Sequence, residues 1–276
     1  MTRRIDSHHH VWALSRGDYD WLTAQHYPNL LEDYTAADLV PHLEKYGIDA
    51  SVLIQAADTV AETEYMLSVG AENHFIKAVV GWVDMTAADA PQVLERLAGD
   101  SLLRGIRPSL MNYEPQWLLG HAQQRALKTL GALGLVFDAL AWPSQLDSLL
   151  RAMVREPELG FVINHFGYPD IAGGNISGWK TVMRQFARET HARVKFSGIL
   201  MELGDTRSDD DFREVADYLL EYFGPQRIMW GSDWPHLLAD SDYDKWYGLS
   251  RRLLQGVEPE DLEWIYGKTA ALFYGV

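Results

Sequence analysis

The chain has 276 residues, 47% of them hydrophobic, which suits a core the size of one α/β barrel of about 250 residues and predicts a single domain over residues 1–276. The formal net charge of −15 argues against nucleic acid as a partner, because phosphates favour basic surfaces. No cysteine, no membrane-length apolar run and no apolar segment after Arg3-Arg4 is present, so we expect a cytoplasmic protein without disulfides, thiolate chemistry or a membrane partner.

Short apolar and β-branched runs alternate with amphipathic stretches along the chain. The runs predict eight strands, which are Arg4–His9, Ser51–Ala56, Lys77–Val83, Leu103–Ser109, Leu135–Leu140, Phe161–His165, Arg193–Ser197 and Arg227–Ser232. Strands that alternate with helices in this way are typical of a (β/α)8 TIM barrel. A doubly wound sheet is the competing architecture, but neither GxGxxG nor GxxxxGK[ST] occurs. The sequence therefore predicts a barrel.

Three of the helices between these strands have recognisable ends. Thr35 precedes an amphipathic stretch that Gly47 ends, and Ser144 opens a second one. Asp209–Asp211 begin a third, which Gly224 ends. These residue types are favoured at helix starts, and glycine is favoured just past helix ends.

The first predicted strand carries a histidine pair, His8 and His10, near its end. Side chains alternate faces along a strand, so both imidazoles point to one side, while His9 points away and is predicted to be structural. Catalytic groups of barrels lie at the C-terminal ends of the strands. The pair therefore predicts part of a metal site or a proton-transfer site at the barrel mouth.

Polar residues at the ends of later strands are predicted to face the same mouth. His165 follows the apolar run of the sixth strand, and Asp233 follows that of the eighth. Asp233 is the strongest candidate, because a carboxylate after a buried strand is costly to desolvate unless it is paired or used. Arg107 and Lys195 place positive charge in an acidic protein, which favours an oxygen-rich or anionic ligand.

Four segments, in this order, resemble the amidohydrolase superfamily. They are DSHHHVW from Asp6, NHFGYP from Asn164, KFSG from Lys195 and WGSDWP from Trp230. Within the superfamily the chain is similar to the amidohydrolase-2 branch, which includes sugar lactonases of the L-fuconolactonase and L-rhamnonolactonase type and 2-pyrone-4,6-dicarboxylate lactonase. The resemblance covers nearly the whole chain. It implies a hydrolase that acts on carboxylic ester bonds, and it is much less specific for the substrate.

The resemblance also implies roles for four residues. His8, His10 and His165 match strand histidines of the family, and Asp233 matches the last-strand aspartate that acts as general base. Together they imply one divalent ion, zinc or manganese, which suits imidazole and carboxylate ligands and which some members of the branch do not need. Leu103–Ser109 lacks the lysine or glutamate that bridges two metals in binuclear members, which argues against a binuclear centre.

The predicted reaction is the ring opening of a lactone, with Asp233 taking a proton from water. The residues predicted to contact the substrate are Arg107, Lys195, Trp82, Trp12, His236 and Tyr168. A dicarboxylate pyrone would need a positively charged binding group for each of its two carboxylates. Arg107 and Lys195 suit one carboxylate, and a second such group is not evident. The sequence therefore favours a sugar lactone.

Several alternatives stay open at this stage. A zinc-dependent decarboxylase of the same superfamily would release CO₂, and a non-catalytic sugar-binding barrel would bind lactones without turnover. For Asp6 and Asp138, a role as caps of the following helices is as consistent with the sequence as a role in the active site. A homo-oligomer is also compatible with the sequence, since barrels of this size often dimerise.

Overall fold

The computed structural model describes residues 3–200 and 209–276, and a parallel sheet lies at its centre. Within these residues eight strands pair in sequence order, each parallel to its neighbour. They are β1 Ile5–His9, β2 Ala50–Ile54, β3 Ile76–Gly81, β4 Leu103–Ile106, β5 Val136–Ala139, β6 Phe161–Ile163, β7 Arg193–Phe196 and β8 Ile228–Trp230. The predicted (β/α)8 barrel is confirmed.

The sheet closes through backbone contacts between β1 and the segment that follows β8. The amide of Asp233 donates to the carbonyl of His8 (2.8 Å), and the amide of His10 donates to the carbonyl of Trp234 (2.7 Å). His9 and Trp234 form a parallel bridge. The seam of the barrel therefore runs through the segments that carry the histidine pair and the aspartate.

All eight predicted strands form, but most end earlier than predicted. β4 ends at Ile106 rather than Ser109, and β3 ends at Gly81 rather than Val83. Arg107 still donates its backbone N–H to the carbonyl of Gly81 (2.8 Å), so the chain follows the ladder briefly before it turns away. The residue types near Ile106 do not reveal where β4 ends, because the strand ends where its backbone hydrogen bonds to β3 stop.

Ten α-helices lie in the described residues. They are α1 Ala36–Tyr46, α2 Val60–Glu72, α3 Ala90–Leu97, α4 His121–Ala132, α5 Leu146–Val154, α6 Ser177–Glu189, α7 Asp209–Phe223, α8 Tyr243–Leu253, α9 Pro259–Glu263 and α10 Thr269–Tyr274. The Asp38 carboxylate accepts from the Thr35 amide (2.8 Å) at the start of α1, and Gly47 ends that helix with φ 61°. The helix predicted from Ser144 begins at Leu146, because a short 3₁₀ turn precedes it.

In the part of the chain described, no helix combines the length and apolar character needed to cross a membrane.

Two clusters of buried side chains stabilise the barrel. The larger lies between the sheet and the surrounding helices. The smaller joins inward-facing strand residues such as Val52 and Val80 to Phe273 and Tyr274 of α10. The guanidinium of Arg193, the first residue of β7, lies 4.9 Å from the centre of the Phe273 ring. α10 therefore covers the end of the barrel at which the strands begin, and the catalytic face of the fold lies at the other end.

The loop between β1 and α1 is fixed at the barrel mouth by several contacts. Trp12 and Tyr34 pair as an antiparallel bridge. The hydroxyl of Tyr19 donates to the carboxylate of Glu62 on α2 (3.0 Å), and Arg16 lies 3.4 Å from the same carboxylate. Glu62 is fully buried, so the loop is held in place by contacts with a carboxylate in the protein interior.

Replacing Glu62 with glutamine is expected to stabilise the protein at neutral and higher pH. Burial raises the pKa of Glu62 from its ordinary 4.5 to about 7, although the amide of Ala56, Tyr19 and Arg16 act to lower it. A carboxyl with a raised native pKa contributes stability that is complete below about pH 4.5 and is lost as the pH rises through 7. Glutamine stays uncharged and avoids this loss.

Thermal unfolding of the two proteins should therefore give similar midpoints at pH 4 and a higher midpoint for Glu62→Gln at pH 8. Glu64→Gln is the matched control, because Glu64 lies on the same helix and is half-exposed in its pair with Arg96. An advantage of Glu62→Gln that does not change between pH 4 and pH 8 would contradict a raised native pKa.

Candidate active site

The C-terminal ends of β1, β6 and β8 bring four of the predicted residues together. Oδ1 of Asp233 lies 3.4 Å from Nε2 of His8 and 3.4 Å from Nε2 of His10. The same oxygen lies 3.8 Å from Nε2 of His165. All four side chains are buried. These four residues form one group at the barrel mouth, called the mouth cluster below.

The mouth cluster fits a single divalent ion. Ligands 2.0–2.1 Å from a tetrahedral zinc ion stand about 3.4 Å from one another, close to the distances given above. One ligand atom from each of His8, His165 and Asp233 lies within 4.8 Å of the others. Both carboxylate oxygens of Asp233 are buried without a hydrogen-bond partner among the described residues. A buried carboxylate in this state is stabilised by a cation.

Two of the imidazoles are oriented by a contact of the second ring nitrogen. Nδ1 of His10 lies 2.8 Å from the carbonyl of Ile54. A carbonyl only accepts, so Nδ1 carries the proton and the Nε2 lone pair faces Asp233. Nδ1 of His165 lies 3.0 Å from Oγ of Ser197, and the hydroxyl can act in the same way. Metal-binding histidines are commonly supported by such contacts.

Lys195 lies beside the mouth cluster and is fully buried. Its Nζ is 2.6 Å from Oδ2 of Asp138 and 3.1 Å from Nδ1 of His8. An ammonium only donates, so Lys195 leaves the proton of His8 on Nε2, and an ion bound there would displace that proton. The hydroxyl of Tyr274 also donates to Asp138 (3.1 Å). Asp138 is therefore an ion-pair partner rather than a helix cap.

Asp6 and His9 connect β1 to neighbouring parts of the barrel through buried hydrogen bonds. The carboxylate of Asp6 accepts from the amide of Ser232 (2.8 Å) and from the hydroxyl of Tyr243 (3.2 Å), so it ties β1 to the end of β8 and caps no helix. Nε2 of His9 lies 3.0 Å from Oγ of Ser51. His9 thus faces the neighbouring strand, in the structural position that the alternation predicts.

Arg107 lies beside His8 and is held by a glutamine. Its Nη1 is 3.4 Å from Nε2 of His8, and its Nη2 donates to both the backbone carbonyl and the side-chain oxygen of Gln55. The side-chain amide of Gln55 returns a hydrogen bond to the carbonyl of Arg107 (2.9 Å). Gln55 was not among the predicted site residues, and the signal for it in the sequence is a lone glutamine directly after the apolar run of β2.

His236 and the first loop form one wall of the mouth. Nδ1 of His236 lies 3.5 Å from Oδ2 of Asp233, and its side chain is 22% exposed. The rings of Trp21 and Tyr27 pack against it at 5.4 and 5.3 Å between centroids. Trp12 is instead fully buried, and its indole N–H donates to a loop carbonyl (2.9 Å). Trp21 and Tyr27 are therefore the aromatic residues of this loop that lie beside the mouth cluster.

Tyr168 forms a second wall. Its ring lies 5.3 Å from that of His165 and 5.2 Å from that of Trp142, which is 40% exposed. Trp82, directly after β3, is half-buried, and its indole N–H has no hydrogen-bond partner among the described residues. The structure thus places Tyr168 in contact with the mouth cluster, and Trp82 at the end of a barrel strand.

The turns after β6 and β8 have unusual backbone conformations. In the described part of the chain the non-glycine residues with positive φ are His165 (51°), Phe166 (58°), Tyr168 (48°) and Asp233 (61°). Strain of this kind persists only where the surrounding structure enforces it, and it concentrates at functional sites. Gly198 has φ 66°, and a Cβ there would collide with the ring of His165. Glycine in KFSG therefore allows β7 to approach His165 closely.

Burial controls the protonation of the mouth cluster. Desolvation lowers the pKa of His10 to about 4 and that of His165 to about 3, and it holds the pKa of His8 well below its ordinary value. Burial alone would raise the pKa of Asp233, but His165, His10 and His236 hold it well below its usual range. Near neutral pH the cluster therefore contains neutral imidazoles and one carboxylate, as both metal binding and general-base catalysis require.

A parallel barrel with an acid–base cluster at the C-terminal ends of its strands is the arrangement of a barrel enzyme. The sequence profile of the amidohydrolase family matches residues 5–276. The chain belongs to this family, and the prediction of a hydrolase of the amidohydrolase type is confirmed.

The chain is similar to named lactonases over its whole length. It is 34% identical to an L-fucono-1,5-lactonase of Burkholderia ambifaria, covering 100% of this chain and 97% of that protein. It is 31% identical to an L-fucono-1,5-lactonase of Burkholderia multivorans, covering 99% and 96%. An amidohydrolase from Burkholderia multivorans, solved with bound zinc, superposes with a TM-score of 0.91 at 30% identity, covering 99% of both chains.

Proposed function

We propose that the protein is a lactonase that opens the ring of a sugar lactone by hydrolysis of its ester bond. The observation that carries the proposal is the buried carboxylate of Asp233, which three neutral imidazoles surround at the barrel mouth. Similarity to two L-fucono-1,5-lactonases supports a lactone as substrate. The aromatic walls of Trp21, Tyr27 and Tyr168 suit the apolar faces of a sugar ring.

Asp233 acts as the general base. Its carboxylate accepts a proton from a water molecule while the water oxygen forms the new bond to the lactone carbonyl carbon. The ring C–O bond then breaks, and the departing alkoxide takes the proton that Asp233 accepted, either directly or through His236, whose Nδ1 lies 3.5 Å from the carboxylate. The product is the open hydroxy acid, which contains both hydrogens and the oxygen of the water.

His8 and Arg107 stabilise the negative charge that develops on the carbonyl oxygen. Nε2 of His8 and Nη1 of Arg107 are 3.4 Å apart, so their N–H groups can reach one oxygen. Lys195 keeps the proton on Nε2 of His8 through its contact with Nδ1. Gln55 holds the guanidinium from the other side. These donors are held in place by buried contacts, so little reorganisation accompanies the reaction.

A single zinc or manganese ion would be held by His10, His165 and Asp233, and by His8 once its Nε2 proton is lost. When bound, such an ion supplies Lewis-acid polarisation of the carbonyl. Ile54 and Ser197 keep the lone pairs of His10 and His165 directed at Asp233.

Acid release from a panel of aldonolactones, followed with a pH indicator in weak buffer, tests the proposal. We expect turnover of sugar lactones with kcat/KM of about 10⁴ M⁻¹s⁻¹ or more, and none of 2-pyrone-4,6-dicarboxylate. Each assay should be run on protein treated with a chelator and on protein reloaded with zinc or with manganese. Lactone binding without turnover in every metal state, or CO₂ release from an aromatic acid, would contradict the proposal.

A further inference from the structure

A chain of hydrogen bonds leads to Arg107 from Asp58, which lies between the end of β2 and the start of α2. The side-chain amide of Gln55 donates to Oδ1 of Asp58 (2.9 Å), and the hydroxyl of Ser109 donates to the same oxygen (2.9 Å). Gln55 directly follows β2, and Ser109 follows Arg107 in the segment after β4. Asp58 therefore joins the segments that follow two strands of the barrel at its mouth.

Asp58 also fixes the direction in which the amide of Gln55 faces. Nε2 of Gln55 donates to Asp58 and to the backbone carbonyl of Arg107 (2.9 Å each), while its Oε1 accepts from Nη2 of Arg107 (3.1 Å). A carboxylate only accepts hydrogen bonds, and a guanidinium only donates them. The reversed amide would set an oxygen against two acceptors and an N–H against a donor, so the observed orientation is the one that the network allows.

The orientation of this amide determines where the reacting end of Arg107 lies. Nη2 donates to two oxygens of Gln55, one in the backbone and one in the side chain. Nε of Arg107 is buried and has no hydrogen-bond partner among the described residues. A guanidinium is a rigid plane, so holding Nη2 also holds Nη1, which lies 3.4 Å from Nε2 of His8. Nη1 is the donor that faces the lactone carbonyl oxygen in the proposed reaction.

We propose that Asp58 is a positioning residue that holds the amide of Gln55 so that Arg107 presents Nη1 to the oxygen that becomes negatively charged in the transition state. This inference rests on the proposed lactonase function. Asp58 acts through Gln55 and has no need to touch the substrate. Its effect is on the rate, because a misplacement of a catalytic group by about 1 Å can cost about 10²-fold.

The kinetics of Asp58→Ala and Asp58→Asn, with the sugar lactone that the wild type hydrolyses fastest, provide the first test. Alanine removes the acceptor, so kcat should fall by about tenfold while KM stays within about threefold, because the guanidinium acts on charge that develops in the transition state. Asparagine keeps an oxygen that accepts from Gln55 and Ser109, and it should return kcat to within about threefold of wild type.

Asp84→Ala is the matched control for these variants. Asp84 follows β3 at the same end of the barrel, is exposed, and accepts hydrogen bonds from the amide and hydroxyl of Thr86 in its own turn. Its loss should leave kcat within about twofold of wild type, as is usual for an exposed position. An equally small effect of Asp58→Ala would overturn the proposal.

The second test repeats Asp58→Ala in a protein that already carries Arg107→Met. Asp58→Ala should lower kcat by less than about twofold in this protein, because the group that Asp58 positions is gone. An equal loss of kcat in both proteins would overturn the proposal, since Asp58 would then act on the structure as a whole.

Crystal structures of the wild type and of Asp58→Ala measure the position of the guanidinium without turnover. We expect the guanidinium of Arg107 to be displaced by about 1 Å in the variant, or to occupy two orientations. An unchanged guanidinium would overturn the proposal. If the wild-type protein hydrolyses no lactone, the proposed lactonase function is wrong, whereas the two crystal structures still decide whether Asp58 positions Arg107.

Discussion

Replacement of Asp233 by asparagine is expected to lower kcat/KM for lactone hydrolysis by about 10³-fold, within the range that a positioned general base contributes. Asparagine has nearly the same shape but cannot accept a proton from the attacking water. It also weakens a metal site, because an amide oxygen lacks the negative charge of a carboxylate. The substitution therefore lowers activity with or without a bound ion.

The substitution is conservative for the backbone. Asp233 has φ 61°, and asparagine is among the few non-glycine residues that adopt this region readily. The far-UV circular dichroism and the cooperativity of thermal unfolding should therefore match those of wild type. His236→Asn is the useful comparison, because His236 approaches Asp233 from the exposed side, and its loss removes a proton donor and one of the groups that lower the pKa of Asp233 while the carboxylate stays in place. A kcat/KM for Asp233→Asn within about tenfold of wild type would rule out the assigned role.

Replacement of Lys195 by methionine is expected to reduce the free energy of unfolding by about 3–5 kcal/mol, the usual cost of breaking a buried ion pair. Methionine fills a similar volume, but it leaves the carboxylate of Asp138 fully buried without its cation. The hydroxyl of Tyr274 (3.1 Å) and the side-chain amide of Asn164 (3.4 Å) would still donate to this carboxylate, but neither carries a positive charge. Urea unfolding monitored by tryptophan fluorescence measures the loss.

The double variant Lys195→Met, Asp138→Asn separates stability from activity. The neutral amide removes the uncompensated charge, so most of the lost stability should return. Activity should stay about 10- to 100-fold below wild type, the usual effect of removing the support of a site histidine, because Nδ1 of His8 still lacks its donor. Full recovery of both properties would show that Lys195 acts on stability alone. A Lys195→Met protein as stable as wild type would contradict a charged pair.

Most strands were predictable because they are largely buried on both faces and read as apolar runs. All five residues of Ala50–Ile54 are buried, for example. The strand ends were less predictable, since Arg107 keeps one ladder hydrogen bond after β4 has ended. The start of α1 was predictable from Thr35, because a helix cap is a local interaction, here completed by Asp38 three residues further on.

The mouth cluster was predictable from motifs, because the C-terminal ends of all barrel strands meet at one mouth. The contacts around the cluster were not. Tyr274 reaches Asp138 across 136 residues of sequence, and nothing local to either residue indicates that pairing. Trp12 and Trp21 illustrate the same limit, because composition cannot tell which aromatic residue of a loop lies in the core and which lies beside His236.

The seam between β1 and β8 links catalytic competence to the closure of the barrel during folding. Asp6 accepts its hydrogen bond from Ser232 across 226 residues of sequence, and Asp233 meets His8 and His10 at the same place. Contacts of such long sequence separation are slow to form, because a large loop must close first. A folding intermediate that lacks a docked β8 would hold the three histidines but not the carboxylate. The rate at which lactone hydrolysis recovers during refolding should therefore report the rate at which the barrel closes. This measurement is independent of probes that follow secondary structure.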